Sequence, residues 1–323
     1  MDFAKREELL SKLKEIVKNE IRFSLVKQDA PLDVQASRFG GMPAVPADFE
    51  WPRFSYRKGR KNGKRISWSS IFFPSKKKRI EEGSCESEPQ KNDAIGDPLS
   101  FLAQINLKDV AALDEDNLLP KSGTLCFFYT IGETWSGRDP KEKGCARVFY
   151  FPEESALTFA VPPNDLNEDF LIPEYALEFK RRPSLPVFDA YERYVDFDDE
   201  DDEVDSDFYE KCLDEFGLGE DDDEIGFKLL GYPDVFEDPM EEDCEYVTRG
   251  FYIMERLPCL DPEERLEIEE AAKDWTLLFQ LESYEGEDFD LCFGDCGRLY
   301  FWIKKEDLRN CNFDNTQLVS RFD

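Results

Sequence analysis

The chain has 323 residues, 41% of them hydrophobic and 14% aromatic, with 28 Phe, so it holds ample material for a core and is too aromatic for a disordered protein. It carries 73 Asp and Glu against 41 Lys and Arg, a net charge of −32, which disfavours nucleic acid and anionic membrane and favours a basic partner, cations or simple solubility. There is no histidine, which removes the commonest general base, Ser-His and Cys-His pairs and most catalytic zinc sites.

In chain order, residues 3–19 read as an amphipathic helix, with Leu9, Leu13 and Ile16 on one stripe and Leu10 and Val17 beside it. The charged start shows no secretory signal, and no run approaches the ~20 apolar residues of a membrane span. "SRFGGMPAVPADFEWPRF" (37–54) is a lead-in punctuated by Gly40-Gly41, Pro43, Pro46 and Pro52; no helix start or Lys-Ser/Thr follows it, so it is not a phosphate loop. Residues 57–79 hold ten Lys and Arg and no acid, and 57–97 read as a surface insertion. That insertion is expected to rest loosely on the protein's own acidic face, with an anion-binding arm or, in a eukaryote, a nuclear import signal as the sharper readings.

Strands are expected over 99–107, 123–131, 145–151 and 156–161. A helix is expected over 205–216, capped by Ser206 and ended by Gly217 in the left-handed conformation. Acidic runs at 196–205, 220–224 and 237–245 follow no calcium-loop pattern, because Ile225 takes a ligand position and Tyr232 replaces the bidentate Glu. Asp261-Pro262-Glu263-Glu264 opens a further helix, which leads into a strand at 275–283.

"LCFGDCGRLYFWI" (291–303) has the look of an active-site signature, but comparison with an earlier stretch makes Gly294-Asp295-Cys296-Gly297 a strand-entry turn. "SFLAQINL" followed by "SGTLCFFY" parallels "WTLLFQLE" followed by "CGRLYFWI". Gln104 aligns with Gln280 and Gly123 with Gly297, a pattern that reads as internal duplication. By strand alternation Ala103, Ile105 and Leu107 share a face, as do Leu277, Phe279 and Leu281, with each glutamine on the opposite face. Nine Cys with irregular spacing and no Cys-x-x-Cys read as reduced thiols in the cytoplasm, and Cys292 and Cys296 have a poor redox or zinc spacing.

"SRFGGMPAVP…WP", "PLSFLAQINL", "LPKSGTLCFFY", "KLLGYPD" and "FGDCGRLYFWI" occur in this order, and together they resemble a YwqG-like protein, a family catalogued as a domain of unknown function. The resemblance runs from about residue 30 to the end of the chain, outside 57–97 and 196–226. It implies an α+β fold, internally duplicated, with mostly antiparallel sheets and a few flanking helices; it implies no activity. Family members often carry a Gln soon after "LLGYP", where this chain has Val235-Phe236-Glu237.

The organisation expected is an N-terminal helix and lead-in (1–30), a first β-rich half (31–190), an acidic insertion (191–226) and a second β-rich half (227–323). The function expected is non-enzymatic binding of a basic protein partner, with no cofactor, no metal and no nucleic acid. A carboxylate-dependent hydrolase or transferase, and a structural or regulatory domain without a small ligand, stay open. An unpaired buried amide costs about 1–3 kcal/mol, so both mid-strand glutamines need partners. The bland partner is the backbone of a crossing loop, such as Gly40-Gly41 or "GYPD". The sharper one is a polar cleft between the halves lined by Arg38, Gln104, Gln280 and Asp295.

Overall fold

The structure is a computed structural model that describes residues 3–56, 96–195, 204–218, 226–234, 239–254 and 259–322. The basic insertion at 57–95, most of the acidic runs and the Val235-Phe236-Glu237 departure lie outside the described residues.

The strands are β1 (Lys18–Val26), β2 (Arg38–Phe39), β3 (Ala44–Pro46), β4 (Arg53–Phe54), β5 (Asp97–Pro98), β6 (Ser100–Asn106), β7 (Thr124–Tyr129) and β8 (Ala146–Phe151). There follow β9 (Leu157–Phe159), β10 (Tyr175–Ser184), β11 (Lys228–Leu230), β12 (Trp275–Glu282), β13 (Tyr284–Glu285), β14 (Asp290–Leu291), β15 (Arg298–Lys304) and β16 (Gln317–Arg321). Ten of them form one sheet in the order β16-β15-β12-β11-β1-β10-β2-β6-β7-β8, antiparallel throughout, and three short two-stranded ribbons complete the set.

The sheet curls until it is nearly closed. Phe127 on β7 and Phe279 on β12 stand six strand positions apart in the sheet order, yet their rings stack with centroids 4.0 Å apart. Phe23, Phe39, Phe227 and Phe301 fill the same interior. This is where the phenylalanine content goes: an inward face of large, stiff rings at every second position, which meet edge-to-face or offset rather than leaving a lumen. The two ends of the sheet meet through loops, with the Ser320 N–H donating to Ser136 O at 3.1 Å and Tyr150 lying 5.5 Å from Phe313.

Helices cover the outside. Leu9, Leu10 and Leu13 of α1 (Phe3–Ile16) pack with Tyr191 and with Phe208, Tyr209 and Cys212, across 3-10 turn 188–193 and past α2 (Leu107–Val110) in sequence to α3 (Ser206–Leu213). Two more helices, α4 (Met240–Thr248) and α5 (Pro262–Ala272), share a satellite cluster of Tyr246, Val247, Ile253 and Ile268. The short α6 (Lys305–Arg309) follows β15.

Three local expectations are corrected. The first helix ends at Ile16, not 19, because Ile21, Phe23 and Leu25 alternate with polar residues and pair as β1 against β10 over nine residues. The helix expected over 205–216 is α-helical over Ser206–Leu213 and tightens into a 3-10 turn at Asp214–Phe216; its cap is Asp205, whose carboxylate accepts from the Phe208 N–H, and Gly217 closes it at φ +73°. Leu277 does not share a face with Phe279: a bulge at Leu278 reverses the alternation, so Leu277 joins Tyr300, Trp302 and Met240 on the outer side while Phe279 and Leu281 enter the core.

Candidate functional site

Arg38 begins β2 directly opposite Gln104 of β6 and is fully buried on the outer side of the sheet. Its guanidinium donates to the Glu174 carboxylate at 2.6 Å and to Asp33 O, and lies 4.8 Å from the centre of the Phe159 ring. Burial pushes the guanidinium down, and Glu174 works against that shift. Gln104 is spent on main chain: its Oε1 accepts from the Ala44 N–H at 2.8 Å, and its Nε2 donates to Val34 O and Ala36 O, both at 3.0 Å. The pair therefore straps the lead-in 33–44 across the sheet.

Lys228 begins β11 directly opposite Gln280 of β12 and is 1% exposed. Its ammonium donates to the Glu20 carboxylate at 2.8 Å, to Tyr232 O and to Asp234. Gln280 Oε1 accepts from the Asp234 N–H at 3.1 Å, and its Nε2 donates to Gly226 O at 3.0 Å and to Asp234 Oδ2 at 2.6 Å. This pair straps 226–234 across the sheet.

The two assemblies correspond atom group by atom group. In each a cation faces a glutamine on the next strand, and the glutamine accepts from the N–H six residues after the cation (Ala44, Asp234). In each it also donates to the carbonyl two residues before the cation (Ala36, Gly226). In each the carboxylate comes from one of the two central strands or the residue leading into it, Glu20 of β1 or Glu174 before β10. Three residues after each cation the backbone is left-handed at a glycine, Gly41 at φ +71° and Gly231 at φ +78°. A Cβ there would lie 2.9 Å from Glu174 Cβ or 2.8 Å from Glu20 Cβ, so the carboxylate side chain itself demands glycine. The preceding residues, Gly40 at +63° and Leu230 at +62°, are also left-handed.

The second assembly is the larger. Arg22, opposite Lys228 across β1, donates to Glu20 and to Asp234, both at 2.8 Å; the residue opposite Arg38 across β10 is Ala176. Burial raises the Asp234 carboxyl, but Lys228 and Arg22 outweigh it and hold it at about 2.

Of the residues singled out in the sequence, Arg38 and Gln104 are brought together. Gln280 lies five strand positions from Gln104, about 24 Å along the sheet. Asp295 is exposed in the turn 294–296, where Cys292 Sγ donates to Gly294 O at 3.0 Å. The four residues do not converge on one cleft. Two cavities lie elsewhere: an open one of about 480 Å³ walled by Phe49, Trp51, Arg53, Arg147 and Phe149, and a void of about 10 Å³ beneath Tyr232. Glu20, Glu174 and Lys228 escape sequence reasoning; the one local signal was a lysine inside the apolar run "GFKLLGY", a position that buries a charge only if a partner comes with it.

Among the described residues no group of three or more Cys, Asp or Glu side chains is placed to hold a metal ion, and no helix is long and apolar enough to cross a membrane. Comparison with curated proteins finds no match. A family model described as a domain of unknown function (DUF1963) matches residues 37–320, a span that includes both cations, both glutamines and Glu174. The chain belongs to this family of unknown function, DUF1963, and the two strapped cation–glutamine pairs lie within its matched span.

Proposed function

We propose that this protein is a non-catalytic binding protein for a basic protein partner. The observation that carries the reading is how the polar groups are divided. Those that most resemble catalytic equipment, the cations Arg38 and Lys228 and the glutamines Gln104 and Gln280, are consumed in strapping the chain to itself. Many acids stay outside, with Glu20, Asp114, Asp139, Asp243 and Glu245 the buried exceptions among the described residues: α5 exposes Glu263, Glu264, Glu267 and Glu270, with Leu266 among them 65% exposed. At a net charge of −32 this surface attracts polycations over a screening length of about 8 Å at physiological salt.

The carboxylate-enzyme reading has one observation in its favour. Burial pushes the Glu142 carboxyl up, the Gly137 N–H draws it back, and Asp139 adds to the rise. Both acids are nevertheless committed: Glu142 accepts from the Gly137 N–H at 2.7 Å, and Asp139 from the Lys141 N–H at 2.9 Å and Tyr56 Oη at 3.0 Å. The binding reading is tested by affinity purification from the native cell. A stoichiometric basic protein is expected at low salt and should be released at about 0.5 M salt, where screening is within a few ångströms. Recovery of no such partner would sink the reading in favour of a structural domain.

We further infer a YwqG-like kinship and an internal duplication in which the copies exchange their first strands. One copy runs β1, β2, β6, β7, β8 and the other β10, β11, β12, β15, β16. The reading is supported by the matched pairs Arg38–Gln104 and Lys228–Gln280 and by equivalent bulges at Leu102 and Leu278. On this reading the first strand of each copy lies in the other's sheet, and Glu20 and Glu174 each neutralise the cation of the opposite copy.

A further inference from the structure

The two assemblies end in similar turns that are finished differently. In the second, Gly231 is followed by Tyr232, 3% exposed, whose ring meets Tyr194 edge-on at 4.9 Å. With Pro233 it is closed over by Pro186, Val187, Tyr194 and Met240, leaving only the void of about 10 Å³. The chain thus covers this turn with its own 186–194 segment and the start of α4. In the first assembly Gly41 is followed by Met42, which is 40% exposed.

Three more exposed apolar side chains stand on the segments bonded to that open turn: Phe159 at 40%, Val161 at 77% and Leu171 at 46%. The Ala160 N–H donates to Pro43 O at 2.9 Å, the Gly41 N–H donates to Ile172 O at 2.8 Å, and β3 pairs with β9. Phe159 is held in place by the buried Arg38 guanidinium. Single exposed hydrophobic residues are ordinary, but several gathered on one turn mark a contact surface. The segments that carry it are acidic: residues 40–50 and 157–174 contain six acids and no Lys or Arg, although Arg53 pairs with Asp165 from outside them. Asp165 and Glu174 are engaged by Arg53 and Arg38, while Asp48, Glu50, Glu168 and Asp169 are exposed.

We propose that the Gly40–Met42 turn, with Phe159, Val161 and Leu171, is the docking surface of this protein, and that its occupant is a partner segment with apolar anchors flanked by Lys or Arg. That segment takes the place which the 186–194 segment and α4 take over Tyr232. The proposal rests on the binding-protein reading and adds to it the site and the partner's chemistry: apolar anchors supply the affinity, and the basic flanks meet the acidic rim.

The test uses the full chain and two probes of equal charge, an amphipathic Leu/Lys peptide and an oligolysine, titrated by fluorescence anisotropy at about 0.15 M ionic strength. The Leu/Lys peptide should bind at least about tenfold more tightly than the oligolysine, and Met42→Glu with Val161→Glu should erase that advantage. Leu266→Glu, at the exposed leucine of α5, should leave it intact, and hydrogen-exchange protection should fall on 40–44 and 157–172. Both substituted positions are exposed, so near-ultraviolet circular dichroism should be unchanged. Undiminished binding of the Leu/Lys peptide by the double variant, its loss in Leu266→Glu, or no preference over oligolysine in the wild type overturns the surface while leaving the binding-protein reading in place. A wild-type chain that binds neither probe, and retains no basic partner in its own cell, removes that reading as well.

Discussion

The Arg38 and Lys228 assemblies solve one problem with different reserves. Each buries a full positive charge against the outside of the sheet, which is tolerable only with a carboxylate and further hydrogen bonds; Arg38 meets that need through its two terminal nitrogens while its Nε stays without a partner among the described residues. Arg38 has a single carboxylate, Glu174, whose side chain is 30% exposed. Lys228 has two, Glu20 and Asp234, and Arg22 links them. Where the second assembly has Arg22 and Asp234, the first has Ala176 and Ala44. One is a minimal strap and the other a cross-braced network, so equal injuries to them should have unequal consequences.

The largest difference is expected at the carboxylates. Glu174→Gln leaves Arg38 buried with no anion, a loss of about 3–5 kcal/mol. Glu20→Gln leaves Lys228 on Asp234 and should cost less, about 1–3 kcal/mol. Urea unfolding of the two variants at neutral pH measures both. A Glu20→Gln loss equal to or larger than that of Glu174→Gln would show that Asp234 provides no reserve. The glutamines come next. Gln104→Leu strands the Ala44 N–H and two carbonyls, and Gln280→Leu strands the Asp234 N–H and the Gly226 carbonyl. Each should cost about 1–3 kcal/mol, with faster amide exchange confined to 34–44 in the first and 226–234 in the second. Exchange that quickens in both loops in either variant would mean that the straps are not independent.

Acid should separate the assemblies by a smaller amount. Asp234 is held at about 2 in the folded chain against an ordinary 3.8, so its folded value is depressed. The stability it contributes is complete above about pH 4 and is lost as pH falls through about 2; the whole is roughly 2 kcal/mol. Its side chain is 22% exposed, which makes that figure an upper one. The difference in urea midpoint between the wild type and Asp234→Asn should therefore shrink between pH 5 and pH 2. A difference that stays constant over that range would assign the variant's loss to something other than the charge.

How much of this was legible in the sequence follows from the range of each interaction. The glutamines, the entry glycines and the alternating strands lie within short windows, and the period-two pattern around Gln104 and Gln280 was readable for that reason. The cation–carboxylate pairs were not, because Glu20 is 208 residues from Lys228 and Glu174 is 136 from Arg38. Nothing local distinguishes Glu20 from the exposed acids around it, since only the position of β1 at the centre of the sheet buries it. Two buried amides require partners, and the sequence offers the backbone of a crossing loop or a shared cleft. The outward side of the sheet, where 34–44 and 226–234 cross it, supplies the backbone partners. Leu277 was misplaced for a different reason: one bulged residue reverses alternation without altering the composition of the strand.

The smallest effect expected bears on the exchange of first strands. The loop 152–156 between β8 and β9 is largely exposed and carries none of the strap residues, so a protease site placed there cuts the chain between the two proposed copies. If β1 and β10 each complete the other copy's sheet, the cut separates two fragments that remain joined by the nine-residue pairing of β1 with β10, by β1 on β11 and by β10 on β2. Both carboxylate–cation pairs also cross between the fragments. The nicked protein should elute as one particle in native buffer and unfold in a single urea transition, displaced only by the loop-closure entropy that the cut releases. Two transitions, or dissociation without denaturant, would place each first strand with its own copy in energetic terms. The sheet order would then describe two neighbouring domains rather than one interlocked fold.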